Sequence, residues 1–97
     1  MIYHITQQTQ WQKALQEGAF ETGSLQTEGF IHASQDSQVA GVLHRYYQGI
    51  SDLVKLHIDE TKLTSPLRWE HSPSVNEEFP HIYGKINLEA VVKVEII

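Results

Sequence analysis

Short segments in which apolar and polar side chains alternate recur along this chain, and most of them crowd into its second half. A period of two marks a β-strand, whose successive side chains point to opposite faces of a sheet. Met1 to Thr6 has this pattern, as do Gly29 to Ala33, Leu53 to Asp59, Leu67 to Glu70, His81 to Asn87 and Ala90 to Ile97. Two helical patterns interrupt the first half. Thr9-Gln10-Trp11-Gln12 has the spacing of a capping box, Trp11, Ala14 and Leu15 form an apolar stripe, and Gly18 follows as a C-terminal cap. Ser34 is the expected N-cap of the second helix, with Asp36 in its first turn and Val39, Val42, Leu43 and Tyr46 as its stripe, ending at Gly49. His71 to Pro80, with its two prolines and Glu77-Glu78, reads as a loop. Asn87-Leu88-Glu89 reads as a hairpin turn between the last two strands. The order β-α-β-α-β-β-β-β predicts one α+β domain over residues 1–97, with two helices and a mixed or largely antiparallel sheet.

A chain of 97 residues has room for one domain. It contains no cysteine, which excludes disulfides, thiolate nucleophiles and cysteine-ligated metal centres. A formal charge of −5 with only 7 Lys and Arg lacks the basic footprint of a general nucleic-acid binder. No apolar run spans a bilayer, which takes roughly 20 residues, and no basic-then-apolar leader opens the chain. The expectation is a cytoplasmic protein with neither nucleic acid nor membrane as partner. Six histidines in so small a chain make their placement informative.

Each strand pattern sorts its residues into two faces. His4 opposes Tyr3 and Ile5; Phe30, His32 and Ser34 oppose Ile31 and Ala33. Arg68 and Glu70 oppose Leu67 and Trp69, and His81, Tyr83 and Lys85 oppose Ile82, Gly84 and Ile86. With the apolar sets turned toward the helices, His4, His32, Ser34, Arg68, Glu70, His81 and Tyr83 share the opposite face. A solvated face is the ordinary alternative. Such a face favours Lys and Glu, as Lys55, Lys93 and Glu95 illustrate on their strands. The histidine-rich set reads instead as a small-molecule pocket.

Within that set, His32, Glu70 and His81 are the candidates for catalysis, since imidazole exchanges protons near neutral pH. His4, Ser34, Gln38, Arg68 and Tyr83 are candidate ligand contacts. His32 lies beside a helix start suited to anions. Arg68 either pairs with Glu70 or presents its planar fork to a phosphate. Pro80 stiffens the entry to its strand, and Gly84 permits close backbone approach. His44, His57 and His71 look incidental.

The segments Gly29-Phe30-Ile31-His32-Ala33-Ser34 and Phe79-Pro80-His81-Ile82-Tyr83-Gly84, with Tyr3-His4-Ile5 and Gln38, resemble domain-of-unknown-function family 952 over nearly the whole chain. That family is distantly similar to ADP-ribosyltransferase-like folds, which split their β structure around an NAD-binding cleft. The resemblance implies NAD as a possible cofactor. It implies His4 at the adenosine-side ribose, His32 or Tyr83 beside the nicotinamide, and Glu70 as the candidate for the transferase glutamate. The first functional expectation is therefore binding of an NAD-like or phosphorylated ligand, with ADP-ribosyl-transfer or related glycosyl-transfer chemistry. The alternatives are a non-catalytic ligand-binding or interaction module and a metal hydrolase built on His4, His32 and His81.

Overall fold

A computed structural model describes residues 1–97. Strand β1 (Ile2–Gln7) runs directly into helix α1 (Gln8–Glu17). The helix begins one residue before Thr9, with extended Gln7 as its N-cap and no side chain bonded there, so the expected capping box does not form. Gly18 closes the helix in the left-handed conformation (φ 87°), its N–H donating to the Ala14 carbonyl, as expected. Ala14 and Trp11 pack inward, but Leu15 is exposed.

Strand β2 (Ala19–Phe20) and helix α2 (Gly23–Thr27) follow, where the sequence pattern suggested only a loop. Then come β3 (Ile31–His32), a 3₁₀ turn at Asp36–Gln38 and helix α3 (Val39–Tyr46). The second half holds β4 (Leu53–Ile58), β5 (Leu67–Ser72), β6 (Glu77–Ile82), β7 (Ile86–Asn87) and β8 (Val91–Ile96). The domain is α+β with three α-helices rather than two. None of them is long and apolar enough to cross a membrane.

All strand pairs are antiparallel, and they form three small sheets instead of one: β1-β4-β8, β2-β7 and β3-β6-β5. The stretch His71 to Pro80 is not a loop. It completes a hairpin in which β5 and β6 pair from Leu67 opposite Ile82 to Ser72 opposite Glu77. Pro80 is tolerated in that hairpin for a geometric reason. Its carbonyl accepts from Ala33 N–H at 3.0 Å, so its missing donor also faces β3, whose ladder has already ended at His32. The expected hairpin between the last two strands is absent as well: β7 pairs with β2, and β8 pairs with β4. Alternation fixes which face a residue takes but carries no information about partners.

The main core joins β1, β4, β3, β6 and β7 through Ile2, Val54, Leu56, Ile58, Ile31, Ile82 and Ile86, with Phe20 from β2. A second cluster of Ile5, Leu53 and Val39, with Val42 and Leu43, covers the opposite face of the first sheet with α3. The β1-β4-β8 sheet is thus packed on both sides. One antiparallel bridge links it to the third sheet. Tyr3 N–H donates to the Ser34 carbonyl at 2.8 Å, and Ser34 N–H returns to the Tyr3 carbonyl at 2.7 Å. Ser34 is therefore a bridge residue and not a helix cap. Gln35 takes the N-cap position, its N–H donating to Gln38 Oε1 at 2.9 Å.

Candidate functional site

The β3-β6-β5 sheet turns Ile31 and Ile82 into the core and leaves its other face polar. Across that face His32 stands opposite His81, and His81 opposite Arg68. Phe30 gathers the imidazoles. Its ring stacks on His81 at 4.1 Å and 17°, and meets His32 edge-on at 4.9 Å. Tyr83 lies 5.3 Å from the same ring. This aromatic packing holds the His81 side chain in place before any ligand arrives.

Glu70 fixes the orientation of His81. One carboxylate oxygen accepts from Tyr83 O–H at 2.5 Å and from His81 Nδ1–H at 2.7 Å. Those donors, the Tyr83 hydroxyl first and His81 second, hold the Glu70 carboxyl below the usual carboxylate range. The same bond pushes the Tyr83 hydroxyl up. With Nδ1 donating to Glu70, Nε2 of His81 is the nitrogen left for a ligand. His32 has a parallel arrangement, with Nε2–H donating to Glu28 at 3.0 Å. Arg68 does not pair with Glu70. Its guanidinium lies over the Tyr83 ring, 5.3 Å from the centroid.

His4 approaches from β1, where it points into the main-core side opposite Tyr3 and Ile5. Its Nδ1–H donates to the His32 carbonyl at 2.5 Å, and its ring meets Phe20 edge-on. Burial lowers its pKa to about 4, against a smaller opposing pull from the carbonyl bond, so at neutral pH the ring is uncharged. Nε2 has no partner in the chain. Because no fully buried side-chain nitrogen or oxygen is left unbonded, this nitrogen reaches open space.

That space is a cavity of about 700 Å³ between β1, the end of α3, the start of α2 and the β5–β6 hairpin. The volume suits a small-molecule ligand. Its wall includes His4, His32, His71 and His81, together with Ser34, and contains no Asp, Glu, Lys or Arg. His71 joins the wall because β5 continues to Ser72, past the point at which the sequence pattern suggests a loop. Gln38, Arg68, Glu70 and Tyr83 do not line the cavity. Gln38 is buried as a brace: its amide donates to the Glu78 carbonyl at 2.8 Å and to Glu77 at 3.2 Å, tying the start of α3 to β6. The helix start beside His32 carries this reciprocal Gln35–Gln38 capping. Gly84 does permit a close approach, but by Ser65, whose Oγ would sit 2.5 Å from an added Cβ.

The three-histidine metal site does not form, because no three His, Cys, Asp or Glu donors converge anywhere in the molecule. Two contributors lie outside the sequence-based site set: Phe30, which the strand sorting places on the face of His32, and Glu28, which it does not reach. Phe30 shares the parity of His32, and that signal alone was sufficient to place it on the same face.

A family model described as "Protein of unknown function (DUF952)" matches residues 5–94. The crystal structure of protein CC0527 from Caulobacter crescentus superimposes with a TM-score of 0.88 at 29% identity, covering 98% of this chain and 83% of that one. The solution NMR structure of the same protein gives 0.84 at 29% identity, covering 99% and 83%. No curated protein matches the chain in sequence.

Proposed function

The chain belongs to the DUF952 family, and from its cavity we propose that it binds a small phosphorylated ligand of the nucleotide type, NAD-like dinucleotides included. One observation carries this reading: four histidines line a single cavity whose wall has no fixed charge, and two of them are tethered by glutamates outside that wall. The wall hydroxyls and amides donate to phosphate oxygens, the free ring nitrogens of His4, His32 and His81 accept from ligand hydroxyls, and Tyr46, Tyr47 and Phe79 supply ring faces for a base. The separation of the two three-stranded sheets, bridged at Tyr3 and Ser34, supports an ADP-ribosyltransferase-like arrangement around the cleft.

Any proton transfer in this site runs through His81. Glu70 orients it at Nδ1, and Nε2 accepts or returns the proton. Glu70 acts on His81 from outside the wall, which makes it a positioning residue. The absence of a carboxylate on the wall favours a second reading, in which the ligand is bound without turnover.

Calorimetric titration with NAD, ADP-ribose and inorganic phosphate tests the proposal. Binding of ADP-ribose in the micromolar range is expected, weakened about tenfold or more in His81→Ala. The absence of heat with all three at about 5 mM sinks it. Release of nicotinamide on prolonged incubation with NAD separates catalysis from binding alone.

A further inference from the structure

β8 is the outer strand of its sheet, with β4 on one side and a free edge on the other. Ile97 N–H donates to the Leu53 carbonyl at 3.2 Å, extending the pairing that puts Ile96 opposite Val54. In an antiparallel ladder, backbone groups turn toward and away from a neighbour alternately. Those of Lys93 and Glu95 therefore face β4 and those of Val94 and Ile96 face outward, up to a bulge at Val92, where the register shifts between His57 and Ile58. The side chains of Val92, Val94 and Ile96 are also exposed, at 45%, 38% and 75%. A bare edge that is also apolar is a template for another strand.

Charge selects the strand. Lys93 makes no ion pair within the chain, while Glu95 accepts from His57 and lies 3.7 Å from Lys55. We propose that a second copy of this chain adds along β8, antiparallel, with Val94 opposite Val94 on the twofold axis. This register sets Lys93 opposite Glu95 of the other copy, twice by symmetry. It also joins the outward-facing backbone groups of the two Val94 residues at the centre of a six-stranded sheet. A slip of two residues in either direction removes both Lys–Glu pairs. The histidine cavity has no residue of β8 in its wall, so the two copies keep separate sites.

Sedimentation of the full chain from about 5 to 500 µM tests the proposal. The expected result is a monomer–dimer equilibrium within that range. Val94→Pro removes only an outward-facing N–H and leaves the β4 ladder intact, so it should give a monomer with an unchanged circular dichroism spectrum. If that variant fails to fold, the charge series decides. Lys93→Glu should weaken the dimer about tenfold, and Lys93→Glu combined with Glu95→Lys should restore it. A wild-type monomer at about 500 µM overturns the inference, as does a dimer that Lys93→Glu leaves unchanged.

Discussion

The β1-β4-β8 and β3-β6-β5 sheets are both three-stranded and antiparallel, yet they divide the work of the molecule unequally. In the first, β4 buries Leu53 on one face, against α3, and Val54, Leu56 and Ile58 on the other, in the main core. In the second, Ile31 and Ile82 are buried on one face, and the other gathers Phe30, His32, Arg68, Glu70, His81 and Tyr83. A sheet packed on both faces specifies the fold, and it reaches the cavity only along its outer strand β1. A sheet packed on one face retains side chains free to form a site. His4 joins the two regions: its strand belongs to the first sheet and its hydrogen bond to the second.

Truncation inside the doubly packed sheet gives the sharpest test of that division. Leu56 is fully buried, and Leu56→Ala should cost about 2–5 kcal/mol through lost burial and the cavity left behind. Urea unfolding of this variant should show a large fall in midpoint, accompanied by weaker ligand binding only where the protein unfolds. A cost under about 1 kcal/mol would show that the sheet is not tightly packed.

The residue that joins the sheets should make stability depend on pH. His4 titrates at about 4 when folded and at the ordinary 6.5 when free. Between those values the unfolded chain binds the extra proton, so stability is complete above pH 6.5 and falls as the pH drops toward 4. The loss amounts to roughly 3 kcal/mol. His4→Phe removes the titrating group, and its stability should change less with pH over this window than that of the wild type. Equal slopes for the two proteins would remove His4 from the account.

On the open face the balance between stability and function should reverse. His81→Ala loses the Phe30 stack, a contribution of about 0.5–1.5 kcal/mol, so thermal unfolding should shift modestly while ligand affinity falls about tenfold or more. Equal losses in stability and binding would contradict the distinction between the sheets.

The alternation of side chains made the faces of these strands legible, and with them the association of His32, His81, Arg68, Glu70 and Tyr83. It did not reveal strand partners. β7 and β8 alternate whether they pair with each other or with β2 and β4. The two residues of β2 and the five of α2 are too short for any period to emerge. Pro80 argued for a loop until the end of β3 explained why its missing N–H breaks nothing in the hairpin. That one residue concealed the place of His71. Gln38 stood out in the sequence, but whether its amide meets a ligand or braces β6 depends on contacts nearly forty residues away in the chain.

The smallest effect isolates Glu28, which acts on the site only through His32. The two side chains are half exposed, so their bond contributes little to folding and Glu28→Gln should leave the melting temperature within about 3 °C. Its consequence should appear in the ligand. Glu28 fixes the His32 Nε2 proton by accepting it, and a glutamine at that position offers an uncharged carbonyl in place of a carboxylate. Phosphate-ligand affinity should therefore fall severalfold in Glu28→Gln. It should fall no further in the double variant Glu28→Gln/His32→Ala than in His32→Ala alone, because the carboxylate then has no ring to orient. Additive losses would mean that Glu28 meets the ligand directly, and the tethered imidazole would give way to a carboxylate that belongs to the binding site itself.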